Sequence, residues 1–520
     1  LETGKKKADR KIEKYRIFAL RQKGVIMSQN RELPPNIVLI MTDQMRGDCL
    51  GIAGHPDVKT PYLDSIAAKG ILFDHAYSAC PSCVPARAAL HTGMRQEHHG
   101  RVGYQDMVNW NYPHTMAGEL AAAGYYTQCV GKMHVHPLRN LMGFHNIELH
   151  DGYLHAYRDP AATWEESQKQ ADDYFYWLKQ ELGADADVTD TGMECNSWVS
   201  RPWIYEEKYH PTNWVSTRSI DFLRRRDTSK PFFLMASYLR PHPPFDAPQY
   251  YFDLYRDKQL TPPAVGDWED EDFTGDYQRL GRIYDSATGP VDPELIRQAQ
   301  IGYYACITHL DHQIGRLIQA LVEYKLMDNT IILFTSDHGE ELCDHHLFRK
   351  SRPYEGSCRI PMLLSGPERL IHAAPGTVCH SVVELQDVMP TLLDAAGAPI
   401  PETVDGKSMI PDPDGTLPVI RQWLHGEHEA GVNSNHFIVT EHDKYVWYSQ
   451  TGREQYFNLD EDRRELHNGI ADTQYQERIG LLRGLLIEEL KEREEGYSDG
   501  QRLITGRETT VLLQSVFGTI

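Results

Sequence analysis

The sequence predicts an α/β fold: a largely parallel central sheet covered by helices on both faces, followed by a small C-terminal subdomain of antiparallel sheet plus helix. Three observations carry this. Near-continuous apolar runs of strand length recur and end in polar residues. Helical patterns separate them. After about Gly415 the pattern changes to short alternating strands and one amphipathic helix.

The elements follow in order. Residues 1–30 form a basic leader, "KKKADRKIEKYRIFALRQK", whose longest apolar run, Ile17–Leu20, is too short for a secretory core. This leader is expected to lie outside the fold. "NIVLIMTD" (Asn36–Asp43) and "TIILFTSDHG" (Thr330–Gly339) read as buried strands, each ending in Thr or Ser and then Asp. "YTQCVGKMH" (Tyr126–His134), "PFFLMASYLRPH" (Pro231–His242) and "IPMLLSGP" (Ile360–Pro367) are three further strand candidates. Helices are predicted over Thr60–Ala68, Ala86–Thr92, Thr115–Ala123, Trp214–Arg225, Glu294–Tyr324 and Leu385–Ala396. Met142–Tyr209 and Tyr250–Pro293 are polar and read as insertions over one sheet edge. His436–Leu459 predicts two or three antiparallel strands with a turn at Gln450-Thr451-Gly452, and Gln474–Glu495 an amphipathic helix. The expected boundaries are therefore 31–415 for the large α/β domain and 416–520 for the C-terminal subdomain.

The 520-residue chain carries a formal charge of −21, which argues against nucleic-acid or anionic-membrane partners. No apolar run approaches the ~18 residues of a membrane span. With no secretory segment in the chain, a cytoplasmic location is expected, or a periplasmic or secreted one if a leader was removed. Nine irregularly spaced cysteines are not a disulfide framework.

In open α/β sheets, ligands bind beyond the carboxyl ends of the strands. Those ends deliver Asp43 and Gln44, Lys132 and His134, His242, and Asp337 and His338. A lone Asp there is ordinarily a turn residue or helix cap, and a lone His a hydrogen-bonded core group. Convergence from four strands changes that reading. The one close cysteine pair lies in "ACPSCVPAR" (Ala79–Arg87). A redox pair needs a small βαβ domain around it, and a zinc half-site needs a second Cys/His pair, for which Cys129 and "HGEHE" (His425–Glu429) are poor candidates. Two buried or loop thiols are the plain alternative. The remaining reading is Cys-x-Pro-x-Arg, which Cys83 satisfies through Pro85 and Arg87 and Cys80 does not.

With "AALHTG" following it, that motif resembles the type I sulfatases of the alkaline-phosphatase superfamily. The resemblance extends in family order over roughly 36–468: "NIVLIMTDQ", "GYYTQCVGKMH" with Met133 for the usual Trp, "YLRPHPPF", "TSDHGEELCDHHLFRK" with Cys343 where Gly is usual, and "GREQYFNLDEDRREL" with Arg463 for Pro. It implies that a formylglycine-generating or anaerobic sulfatase-maturating enzyme converts Cys83 to Cα-formylglycine, the hydrate of which attacks sulfur. It implies divalent-cation ligands at Asp43, Gln44, Asp337 and His338, an oxygen-rich set that favours Ca²⁺, with Mg²⁺ a substitute. Arg87 pins the modified side chain, and Lys132 and Lys350 bind sulfate oxygens. His242 is the expected acid for the leaving oxygen, with Lys350 its rival, and His134 the base that collapses the hydrate. The implied activity is a sulfuric ester hydrolase of the arylsulfatase type acting on a carbohydrate or aryl sulfate. The alternatives are a phosphonate monoester or phosphodiester hydrolase on the same machinery, or a catalytically silent sulfoglycan-binding relative.

Overall fold

Strand β1 (Asn36–Asp43) is buried along its whole length. It lies at the centre of an eight-stranded sheet, between β6 (Phe232–Pro241) and β7 (Thr330–Ser336), and runs parallel to both. Its period of two sends alternate side chains to opposite cores. Val38 and Ile40 join one core with α1 (Pro61–Ala67), α4 (Pro211–Arg225) and α5 (Pro293–Glu323). Ile37, Leu39 and Met41 join the other with α2 (Cys83–Thr92), α3 (Met116–Ala122) and α6 (Val388–Ala395). A strand apolar on both faces is therefore what a doubly covered sheet requires. Each such side chain contributes about 1.5–3 kcal/mol by leaving water. The computed structural model describes residues 34–152, 172–186, 188, 193, 196, 198–268, 291–429 and 431–518. The leader expected at 1–30, and much of the insertions expected within 142–209 and 250–293, lie outside these residues.

The sheet order is β5-β4-β6-β1-β7-β8-β2-β9, with β2 at Ile71–Phe73, β4 at Tyr126–Gly131, β5 at Asn146–Leu149, β8 at Met362–Ser365 and β9 at Thr377–Cys379. Strand β8 is antiparallel to both its neighbours; every other pairing is parallel. A two-residue pair, β3 (Ala76–Tyr77) with β10 (Val383–Glu384), stands apart. One expectation is corrected. Asn146–Leu149 supplies an edge strand of the sheet itself, in a region read as insertion over one sheet edge. The short strands β2 and β9, three residues each, carry too little sequence for a periodic signal.

The helices start where local chemistry predicts. Thr115 accepts from the Gly118 N–H, and Asp292 accepts from Glu294 ahead of Pro293, each satisfying an orphan amide of the first turn. Helix α2 starts at Cys83, three residues before the predicted start, so the cysteine sits in its first turn.

The C-terminal sheet has four antiparallel strands rather than two or three: β11 (Trp423–His428), β12 (Asn435–Thr440), β13 (Asp443–Tyr448) and β14 (Glu454–Asn458). The β13–β14 turn contains Gly452 at φ +74°, the turn glycine the sequence marks. One face, with Leu424, Phe437, Val439 and Val446, packs on Tyr77, Leu347 and Tyr354 of the catalytic body. The other, with Ile438, Tyr445 and Trp447, covers Ile479, Leu482 and Leu486 of α7 (Gln476–Glu489). No described helix is long and apolar enough to cross a membrane.

Candidate active site

Four parallel strands end at one edge of the sheet, and their last or next residues meet. Strand β1 ends on Asp43, β4 leads into Lys132, β6 into His242 and β7 into Asp337 and His338. At the end of β6 the register slips between Met41 and Asp43, so Asp43 pairs with Pro241 and its carbonyl accepts from the His242 N–H at 3.0 Å. Such a slip re-aims the following side chain. At the end of β4, Gly131 has φ +102° and lies so close to β6 that a Cβ would stand 1.9 Å from the Ser237 carbonyl oxygen. Only glycine permits that approach, and it delivers Lys132 to the centre.

Cys83 enters from the opposite side on α2. Its Sγ lies 3.2 Å from His338 Nε2, 3.7 and 3.9 Å from the Asp43 carboxylate oxygens, 3.8 Å from Lys132 Nζ and 3.7 Å from Lys350 Nζ. Lys132 donates to Asp43. Arg87, four residues on, donates to Asp337 at 3.0 Å, to the Lys132 carbonyl at 2.8 Å and to Ser237 at 3.2 Å. Lys350 Nζ donates to Gln44 Oε1 at 2.8 Å and faces His242 Nε2 at 3.1 Å. The His242 Nδ1–H donates to the Pro243 carbonyl at 2.8 Å, so Nε2 is the nitrogen with a lone pair for Lys350.

Burial alone would raise the Asp43 carboxyl. Lys132, helped by His242, His338 and Lys350, outweighs it and holds the carboxyl well below its usual range. Burial would lower Lys132; Asp43 reverses this and raises the ammonium. Burial, then Lys350, holds His242 well below the usual imidazole value, so it is neutral. The two motif cysteines diverge. Burial, Glu427 and Glu429 push Cys80 well up. Cys83 also meets burial and Asp43, but Lys132, Lys350 and His338 overcome them and lower it.

Asp43, Cys83, Asp337 and His338 place their ligand atoms within 4.8 Å of one another, all buried. This donor set fits a cation. The two carboxylates are hard oxygen ligands, and the His338 Nδ1–H donates to the Gly339 carbonyl at 2.9 Å, which leaves Nε2 as the ligating nitrogen. The structure thus brings together Cys83, Asp43, Gln44, Arg87, Lys132, His242, Asp337, His338 and Lys350. His134 sits on the same loop at φ +58°. Its buried ring meets Asp106 at 3.5 Å and Tyr104 edge to face.

Sequence reading passed over several supporting residues. Asp151 accepts from the Met133 and His134 N–H groups at 2.7 and 3.0 Å and fixes that loop. Ser237, a small polar residue inside the apolar run of β6, accepts from Arg87 at 3.2 Å. His428 on β11 reaches Ser82, the residue before Cys83, at 2.9 Å. It is held down to about 3 by burial and then Arg352. Nothing in the spacing of the sequence couples positions so far apart.

Anionic and cationic groups focused on one cysteine in a helix's first turn, at the carboxyl edge of a parallel sheet, define a site that takes an anion beside a cation. Residues 35–398 match the model of the sulfatase family, and 343–493 that of the N-sulphoglucosamine sulphohydrolase C-terminal region. The chain is 51% identical to an arylsulfatase of Clostridium perfringens (strain 13 / Type A), over 92% of this chain and 99% of that one. It is 29% identical to a choline-sulfatase of Rhizobium meliloti, over 84% and 82% of the two chains. In fold it resembles the phosphonate monoester hydrolase of Agrobacterium radiobacter, with a TM-score of 0.71 and 24% identity, covering 87% of this chain and 95% of the other. The chain belongs to the sulfatase family.

Proposed function

We propose that the protein hydrolyses sulfate monoesters, aryl and carbohydrate, at the site around Cys83. The observation that carries this reading is the focus of Lys132, Lys350, His338 and Asp43 on Cys83 Sγ, all within 3.9 Å. Converted to Cα-formylglycine by a maturation enzyme, Cys83 supplies a hydrate with one hydroxyl to attack sulfur and a second to expel sulfate. A divalent cation, Ca²⁺ by the oxygen-rich donor set and Mg²⁺ as substitute, supplies positive charge at the same point. Asp43, Asp337, His338 and Gln44 would hold it.

The chain's own residues do the rest. Lys132 and Lys350 bind the sulfate oxygens in a water-poor pocket where charge acts strongly. Arg87 fixes Asp337 through its Nε, and the Lys132 loop through its NH1. Lys350 Nζ lies 3.1 Å from His242 Nε2, so the pair is placed to deliver one proton to the leaving oxygen. His134, with Asp106 beside it, is the base for the second step.

The test is a panel of sulfated mono- and disaccharides, an aryl sulfate and an aryl phosphonate given to the matured protein. Sulfate release from the first two classes is expected. Turnover confined to the phosphonate would instead assign a phosphonate monoester hydrolase, and no turnover of any by protein carrying formylglycine would leave a binding role.

A further inference from the structure

Glu340 lies two residues beyond His338 and is 1% exposed. Three hydrogen bonds are described for its carboxylate, all from uncharged N–H groups. Oε2 accepts from Gln44 Nε2. Oε1 accepts from the backbone of Leu342, at 2.9 Å, and of Arg349. The last two positions close the loop that ends at Lys350, and the Glu341 N–H donating to the Arg349 carbonyl at 2.8 Å seals the same junction.

A carboxylate only accepts hydrogen bonds, so it dictates which end of a facing amide it meets. With its NH₂ on Glu340, Gln44 must turn Oε1 the other way. That oxygen indeed accepts from Lys350 Nζ at 2.8 Å. The flipped amide would set oxygen against carboxylate and NH₂ against ammonium, two repulsive contacts. One buried carboxylate therefore fixes two groups at once: the amide oxygen of Gln44 and the backbone of Arg349, one residue before Lys350.

We propose that Glu340 is a positioning residue of the site, which aims Gln44 Oε1 at the cation and anchors Lys350 over the anion. This rests on Gln44 being a cation ligand. Supporting groups behind a ligand are typically worth about 10–100-fold in metal affinity.

The test is Ca²⁺ affinity of the matured protein, measured by calorimetric titration after chelation, with thermal unfolding in cation-free buffer as the check on folding. Glu340→Gln should weaken Ca²⁺ binding about 10–100-fold while melting close to the parent. Gln44→Glu alone sets two carboxylates together and should also bind less tightly. The exchange Gln44→Glu with Glu340→Gln restores an NH₂ facing a carboxylate, and should recover most of the affinity lost in Glu340→Gln; it serves equally if a single variant fails to fold. Unchanged affinity in Glu340→Gln, where Gln44→Ala weakens binding, overturns the proposal and leaves Gln44 a ligand. Unchanged affinity in both overturns the proposal together with that ligand assignment. An exchange no better than Glu340→Gln also overturns it.

Discussion

Two buried clusters among the described residues gather His and carboxylate groups within 4.8 Å of one another, yet only one is built to act. At the sheet edge, groups of both signs from β1, β4, β7, α2 and the Lys350 loop face a common point, Cys83 Sγ. In the C-terminal sheet, His425 and Glu427 alternate along β11 with Glu429 just past its end, and His436 on β12 lies opposite Glu427. There the groups pair off. Arg493 donates to both oxygens of Glu427 at 2.8 and 2.9 Å and to Glu495 at 2.6 Å. His425 Nε2 meets His436 Nδ1 at 3.2 Å. Arg493 thus takes up Glu427, while the buried Glu429 carboxylate stands 3.5 Å from His436 Nε2; the contacts run pair by pair and are not focused on one reactive side chain. The difference teaches that convergence, rather than the presence of ligand-type residues, marks the site.

The sharpest test of the convergent cluster is its centre. Cys83→Ala should cost turnover on the order of 10⁶-fold, as loss of a covalent nucleophile does, while Cys80→Ala keeps most of it. Peptide mass spectrometry of protein made beside a maturation enzyme should show formylglycine at 83 and a thiol at 80. A Cys80–Cys83 disulfide in active enzyme would falsify the assignment. Next, chelation should eliminate activity and Ca²⁺ or Mg²⁺ restore it. Asp337→Asn should lose activity without unfolding; full-rate turnover by metal-free protein would remove the cation from the site.

Much of this cluster was legible in the sequence because buried parallel strands are long apolar runs, and their carboxyl ends are visible where charged or imidazole side chains follow the run. Asp43, Lys132, His242 and Asp337 were found that way. The edge strand Asn146–Leu149 was not, being four residues long with an acid inside it. Nor was Glu340, although it stands in the same block as His338, because its contact is with Gln44, just past the end of β1 and far away in the chain. Cys343, in place of the usual glycine, has φ +71°. The family's glycine thus has a backbone reason, the left-handed conformation that costs other residues about 1–2 kcal/mol.

A finer test of convergence separates proton donation from charge. His242 sits between prolines and faces Lys350. If the pair protonates the leaving oxygen, His242→Ala should slow a sugar sulfate by ~10²–10⁴-fold and an activated nitrophenyl sulfate much less, since its leaving group needs no proton. Equal losses on both substrates would make His242 a sulfate binder and pass the acid role to Lys350.

The paired cluster should respond in stability and leave the chemistry untouched. Burial would raise the Glu427 carboxyl, but Arg493, with His425 and His436, overrides it and lowers it to about 2. A carboxyl depressed in the folded state favours folding above its unfolded value, about 4.3, and that contribution disappears as pH falls toward 2. At neutral pH it amounts to about 3 kcal/mol, at 1.36 kcal/mol per pKa unit. Glu427→Gln should therefore destabilise the protein by about that much at pH 7, with kcat on an aryl sulfate unchanged. The gap between parent and variant, followed by thermal unfolding, should narrow as pH drops below 4. A gap that stays constant with pH would show that Glu427 contributes through shape rather than charge, and a fall in kcat at full folding would mean that the C-terminal cluster reaches the active site through β11 and His428.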